Sequence, residues 1–205
     1  MLLVVGVVVL AALLSTALRL FVVDIYRVNQ VSMEPTLIDS ERIAVQKQRP
    51  DEGYQRGDII VFDGEGSFTA YRGSDQWLTR AAERVGHWVG ATSPSGVYVK
   101  RVIGVGGDRV ACCDDQGRLL INGEPLEETY LAEPASSEAP ASDLPFDVEV
   151  PKGRVWVMGD NREESVDSRA LLGAPGGGMI SEDRIIGRAT SVVWPVNERR
   201  SLDEG

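Results

Sequence analysis

Ser32, Lys100 and the polar turn at residues 159 to 169 are where this 205-residue chain has side chains suited to chemistry. A serine hydroxyl becomes a useful nucleophile only when a base takes its proton, and a lysine amine serves as that base only when neutral. Ser32 lies in "VSMEPTLIDS", just after an apolar run. Serine is common in turns and helix caps, so its type alone assigns it nothing. Lys100 lies in "VYVKRVI", where strand alternation puts Tyr98, Lys100 and Val102 on one face and Val97, Val99, Arg101 and Ile103 on the other. Between an aromatic and a branched aliphatic neighbour, a lysine loses solvation and its pKa falls toward neutrality, which makes a general base. The competing reading is an edge-strand lysine that blocks unwanted pairing. The third stretch, "VWVMGDNREESVDSR", ends an apolar strand at a Gly-Asp-Asn turn and then supplies Ser165, Asp167 and Arg169. The one histidine, His87, stands beside Trp88 and reads as a packed or surface residue.

These groups must be positioned by strands. The segments 42–47, 58–62, 97–105, 118–121, 155–158 and 189–194 are rich in β-branched and aromatic residues, and Asn122-Gly123 marks a tight hairpin. The pattern predicts a mainly β fold. One helix is predicted over 74–90, with a Ser/Asp cap and Trp77, Leu78, Ala81, Val85 and Trp88 at helical spacing. Residues 132–147, rich in Pro, Ala, Ser and acid, read as an exposed loop, and "GAPGGGM" at 173–179 excludes a regular element.

Residues 1–23 run without a charge from Leu2 to Leu18, and Arg19 can snorkel at one end. The segment suffices to cross a hydrocarbon layer of about 30 Å. It lacks the basic start and small-residue cleavage site of a removable leader, so a retained membrane anchor in a lipid bilayer is expected, followed by one domain over 24–205. Flanking charges do not fix orientation, because a domain of this size is exported largely regardless of them. The net charge of −10 and the lack of a Lys/Arg cluster exclude nucleic acid as a partner. Neither a metal site nor a cofactor is expected: Cys112, Cys113 and His87 do not have zinc-ligand spacing. The adjacent cysteines allow either a bridge between them or two thiols on opposite faces of a strand.

Four blocks in order, "SMEPTL" (32–37), "RGDIIVF" (56–62), "KRVIGVGGD" (100–108) and "GDNREESVDSR" (159–169), follow the apolar segment, with "VVWP" near the end. Together they resemble the bacterial type I signal peptidases, membrane-bound serine proteases with a Ser–Lys dyad that remove signal peptides from exported preproteins. The resemblance covers most of the chain from 28 to 195. It implies that Ser32 is the nucleophile, Lys100 the general base, and Ser165 the hydroxyl that orients the amine. It further implies that Arg101 with Asp160, and Asp167 with Arg169, are structural ion pairs beside the site. Gln30 stands where the family often has a serine that helps stabilise the oxyanion; a glutamine amide can also donate there. The resemblance also implies a β-rich catalytic domain with an inserted lobe from about 108 to 152, and a site outside the cytoplasmic membrane. Preprotein substrates would carry small residues at the first and third positions before the cut.

Two other readings compete. A self-cleaving Ser–Lys regulator would carry a DNA-binding helix-turn-helix, whereas this chain starts with an apolar segment. A non-catalytic, membrane-anchored β binding domain would have no need of a neutral Lys100.

Overall fold

Val97–Val105 is a nine-residue run of mostly β-branched residues, long enough to bury both faces, and it forms a central strand of the protein. The computed structural model describes residues 6–7, 23–47, 53–68 and 96–202. The strands are β1 (Val23–Arg27), β2 (Arg42–Gln46), β3 (Ile59–Asp63), β4 (Val97–Val105), β5 (Arg109–Cys112), β6 (Leu119–Ile121), β7 (Glu124–Pro125), β8 (Phe146–Glu149), β9 (Arg154–Met158), β10 (Ile180–Ser181), β11 (Ile185–Trp194) and β12 (Arg200–Ser201). Among the described residues they make an eight-stranded sheet in the order β1-β2-β11-β3-β4-β9-β10, with β12 on β11, and a four-stranded sheet in the order β7-β6-β5-β8. The mainly β architecture expected from the sequence is the one observed.

Alternation along β3 and β9 divides the core. Ile59 and Val61 face one cluster with Met33, Leu37, Ile43 and Val45, while Ile60 and Phe62 pack on the opposite face with Val102, Val155 and Val157. Trp156 and Met158 of β9 turn instead toward the small sheet, joining Val110, Leu119, Ile121 and Phe146. The small sheet is thus fastened to the large one by apolar side chains from both. At the Asn122-Gly123 hairpin both residues take positive φ, 55° and 89°, the tight turn that this pair favours.

Several elements differ from expectation. β1 takes in Val23, the last residue of the apolar segment, and pairs antiparallel with β2. The predicted loop over 132–147 ends early: Phe146 and Asp147 enter β8, where Phe146 packs on Trp156 at a ring separation of 5.2 Å. Tertiary burial of that ring outweighs the loop-like composition before it. Residues 173–179 contain no regular element, as expected. Cys112 and Cys113 are joined to each other by a disulfide. The predicted helix over 74–90, with His87, and the apolar segment apart from Gly6, Val7 and Val23, lie outside the described residues. Among those described, no helix is long and apolar enough to cross a membrane.

Candidate active site

Ser32 sits in a turn between β1 and β2 that is held at both ends. Leu37 N–H donates to Met33 O at 2.8 Å, and the buried side chains of Met33 and Leu37 pin the turn to the core. At its far end Arg200 donates to Thr36 O at 2.7 Å and to both oxygens of Glu41, so β12 braces the same turn. From the other side Asn161 N–H donates to Ser32 O at 3.1 Å, which ties the turn following β9 to the Ser32 turn. Gly159 makes that approach feasible: a Cβ there would collide with Ser165 Oγ and Ser32 O.

Lys100 reaches Ser32 from β4. Its strand runs between β3 and β9, with Lys100 opposite Ile60, so it is an interior lysine and the edge-strand reading falls away. Lys100 is 1% exposed and Ser32 is 5% exposed. Lys100 Nζ lies 2.6 Å from Ser32 Oγ, 3.2 Å from Val99 O and 3.4 Å from Gln30 Oε1. Burial lowers the lysine from 10.5 to about 8; Asp167 and Asp160 oppose the fall and Arg169 adds to it. A neutral amine has two N–H groups and one lone pair. Here Nζ donates to Ser32 Oγ, Val99 O and Gln30 Oε1, and the Ser32 hydroxyl donates to Gln30 Oε1; in the neutral amine Val99 O and Gln30 Oε1 hold the two hydrogens, and the lone pair is free for the Ser32 proton once that hydroxyl turns from Gln30.

The two predicted ion pairs form. Arg101, one residue along and therefore on the opposite face of β4, makes a two-pronged buried pair with Asp160 at 2.9 and 2.7 Å. It also donates to Gly57 O at 2.9 Å and lies 3.8 Å from the centre of the Tyr130 ring. Arg169 pairs with Asp167 through two 2.8 Å bonds, and Gly159 N–H donates to Asp167 at 3.0 Å. Burial pushes the Asp167 carboxyl up, but the bonds from Arg169 and Gly159 outweigh it and hold the group below its usual range. Both ion pairs fix the turn after β9 beside the lysine.

Ser165 and Gln30 depart from simple expectation. Ser165 Oγ is buried without a hydrogen-bond partner, although it lies close enough to Asp167 to help keep that carboxylate ionised; it does not bond to Lys100 here. Gln30 turns its carbonyl to the dyad, accepting from Ser32 Oγ at 3.3 Å as well as from Lys100, so its amide must rotate before it can donate to an oxyanion. Residues not anticipated from the sequence complete the surround. Arg162 forms a part-buried ion pair with Glu128 and donates to Gly159 O at 3.1 Å, while Tyr130 donates to Glu128 at 2.6 Å. A cleft of about 380 Å³ opens over the dyad, lined by Gln30, Ser32, Tyr98, Lys100, Glu164 and Val166.

A serine hydroxyl in contact with a desolvated lysine amine, under an open cleft, is the arrangement of a serine hydrolase that uses lysine in place of histidine. The family described as "Signal peptidase, peptidase S26" matches residues 1–194. Signal peptidase I of Bacillus licheniformis is 36% identical over 201 residues, covering 96% of this chain and 90% of that protein. Signal peptidase I of Mycobacterium tuberculosis H37Rv is 39% identical over 208 residues, covering 91% of this chain and 70% of that protein. The crystal structure of a signal peptidase I from Enterococcus faecalis V583 aligns with 67% of this chain and 97% of its own, at 26% identity and a TM-score of 0.42. The chain belongs to the S26 signal peptidase family and is a serine endopeptidase.

Proposed function

We propose that Ser32 is the nucleophile and Lys100 the general base with which this peptidase removes N-terminal signal peptides from exported preproteins. The observation that carries the assignment is the 2.6 Å contact between Lys100 Nζ and Ser32 Oγ in a buried setting. The neutral amine takes the hydroxyl proton as Oγ attacks the scissile carbonyl. The ammonium so formed then protonates the leaving amine, and the acyl-enzyme is released by a water that the same amine deprotonates. Gln30, with its amide turned, donates to the oxyanion alongside backbone N–H. Arg101 with Asp160, and Asp167 with Arg169, hold the two loops in register around the dyad. Residues 1–23 are a single membrane anchor and 24–205 the catalytic domain outside the cytoplasmic membrane, with 108–152 as its inserted lobe. The uncharged run from Leu2 to Leu18 and the separate small sheet support that division.

The direct test is incubation with a preprotein carrying Ala at the first and third positions before the cut, with the product mass locating the bond. Cleavage is expected for the wild type and not for folded Ser32→Ala; equal cleavage by the two would overturn the nucleophile assignment. Phe at the first position should reduce the rate about tenfold or more, because a bulky side chain overpacks a shallow pocket by roughly 1 to 3 kcal/mol. Equal rates for Ala and Phe would rule out small-residue specificity.

Ser165→Ala is expected to be milder. It leaves the base in place and removes a buried hydroxyl that is unpartnered at rest and turns to the amine during the reaction, raising the barrier by about 1 to 3 kcal/mol with the change in kcat rather than KM. Steady-state kinetics on a short preprotein peptide checks this, and an unaltered kcat would take Ser165 out of the mechanism.

A further inference from the structure

The turns that carry the site each border two clefts. Asn29 to Ser32, Glu164 and Val166 line the cleft over the dyad, while the next residues on the same turns, Glu34, Pro35, Ile38 and Asp160 to Glu163, line a second cleft of about 630 Å³. The far wall of the second cleft is the Leu131–Ala141 loop that leads out of the small sheet. An endopeptidase substrate extends on both sides of the scissile bond, so its chain leaves the dyad cleft at both ends. The second cleft is lined by the residues next in sequence on both turns that line the first.

Its chemistry defines what it accepts. Pro35, Ile38 and Leu131 provide an apolar wall, and Ile38 is among the exposed large hydrophobic residues. Two of its charged groups are already neutralised inside the protein, Asp160 by Arg101 and Arg162 by Glu128. Glu34, Glu133 and Glu163 have no ion-pair partner among the described residues, so the cleft presents three uncompensated carboxylates beside apolar surface. Such a surface suits an extended peptide that carries basic side chains.

Resting on the peptidase reading above, we propose that this second cleft binds the first residues of the mature protein, on the C-terminal side of the cut, and favours lysine or arginine there. The signal half is apolar and stays with the bilayer, as does the enzyme's own apolar segment. The dyad cleft is lined by Asn29 to Val31, the residues that come directly after that segment and β1. The second cleft is walled by the nucleophile turn beyond Ser32 and by the loop from the small sheet, and takes the chain that remains outside.

The test uses the full-length enzyme and three peptides with one signal half, whose second to fifth residues after the cut are neutral, lysine-containing or glutamate-containing. The lysine peptide is expected to exceed the glutamate peptide about tenfold in kcat/KM at low salt, chiefly through KM, since uniform binding is what the cleft adds. The ratio should approach one near 1 M salt, where screening acts over about 3 Å. It should also approach one in the combined Glu34→Gln, Glu133→Gln and Glu163→Gln variant. Parity in the wild type, or an undiminished ratio in the variant, overturns the inference. So does discrimination seen only when the charges precede the cut, which would assign the cleft to the signal half. Absence of cleavage of the neutral peptide would overturn the peptidase reading and this inference with it, whereas cleavage without discrimination overturns this inference alone.

Discussion

Lys100→Arg is expected to fold and to lose at least about 10³-fold in kcat on a preprotein, because a guanidinium remains protonated at any working pH and has no lone pair to offer Ser32. The substitution keeps charge and approximate length, so it isolates proton acceptance from mere basicity. Folding is checked by circular dichroism and activity by the mass of the cut product; substantial cleavage by a folded variant would remove Lys100 from the mechanism. The wild-type pH profile supplies the companion measurement. The base works in its deprotonated form, so kcat/KM rises with pH and levels off above about 8, the value to which burial lowers the amine. Each unit below that midpoint costs about a factor of ten. An acid limb centred near the ordinary lysine value of 10.5 would contradict the desolvated site.

The second large effect concerns stability. Arg101 and Asp160 have side chains 2% and 1% exposed, and removing one leaves the other charged in a low-dielectric surround. Asp160→Ala is expected to destabilise the domain by about 3 to 5 kcal/mol, read as a lowered denaturant midpoint with an unaltered slope. Thr36 loses its acceptor too, since its hydroxyl donates to Asp160 at 2.5 Å. The double variant Arg101→Met with Asp160→Leu should recover much of the loss, because a buried pair replaced by packed apolar groups no longer leaves an orphan charge. A double variant as unstable as the sum of the singles would show that the two residues act independently.

The strands legible in the sequence were those with unbroken apolar runs, buried on both faces, and those with clear local apolar pattern such as β2 and β6. β3, β4 and β9 are nearly unbroken apolar runs, and no other structure accommodates so many β-branched side chains in so few residues. β5 and β8, "RVAC" and "FDVE", are only four residues each, too short to stand out, and pairing with each other, and of β5 with β6, makes them strands. β11 extends back to Ile185 through Gly187 and Arg188, which break the local pattern but pair with β3. The site divides in the same way. Ser32, Lys100, Arg101, Asp160, Asp167 and Arg169 stood in ordered blocks, whereas the contacts of Glu128, Tyr130 and Arg162 join a loop beyond β7 to the turn after β9 across 34 residues, a closure that no local spacing encodes. The orientation of the Gln30 amide is likewise a product of its neighbours.

The adjacency of Lys100 and Arg101 in β4 makes correct strand alignment a condition of the Lys100–Ser32 contact. A slip of one residue exchanges the two faces of a strand, which would present the permanently charged guanidinium to Ser32 and send the titratable amine toward Asp160. The same slip would turn Val99 and Ile103 away from their apolar clusters, so packing selects against it. Five consecutive pairs with β3 and a register shift between Val102 and Gly104 against β9 fix the alignment on both sides. A chain that mispairs during assembly would therefore be an inert protein and not an unselective protease, and the fraction of active sites titrated in a preparation would count the molecules whose β4 has docked in register.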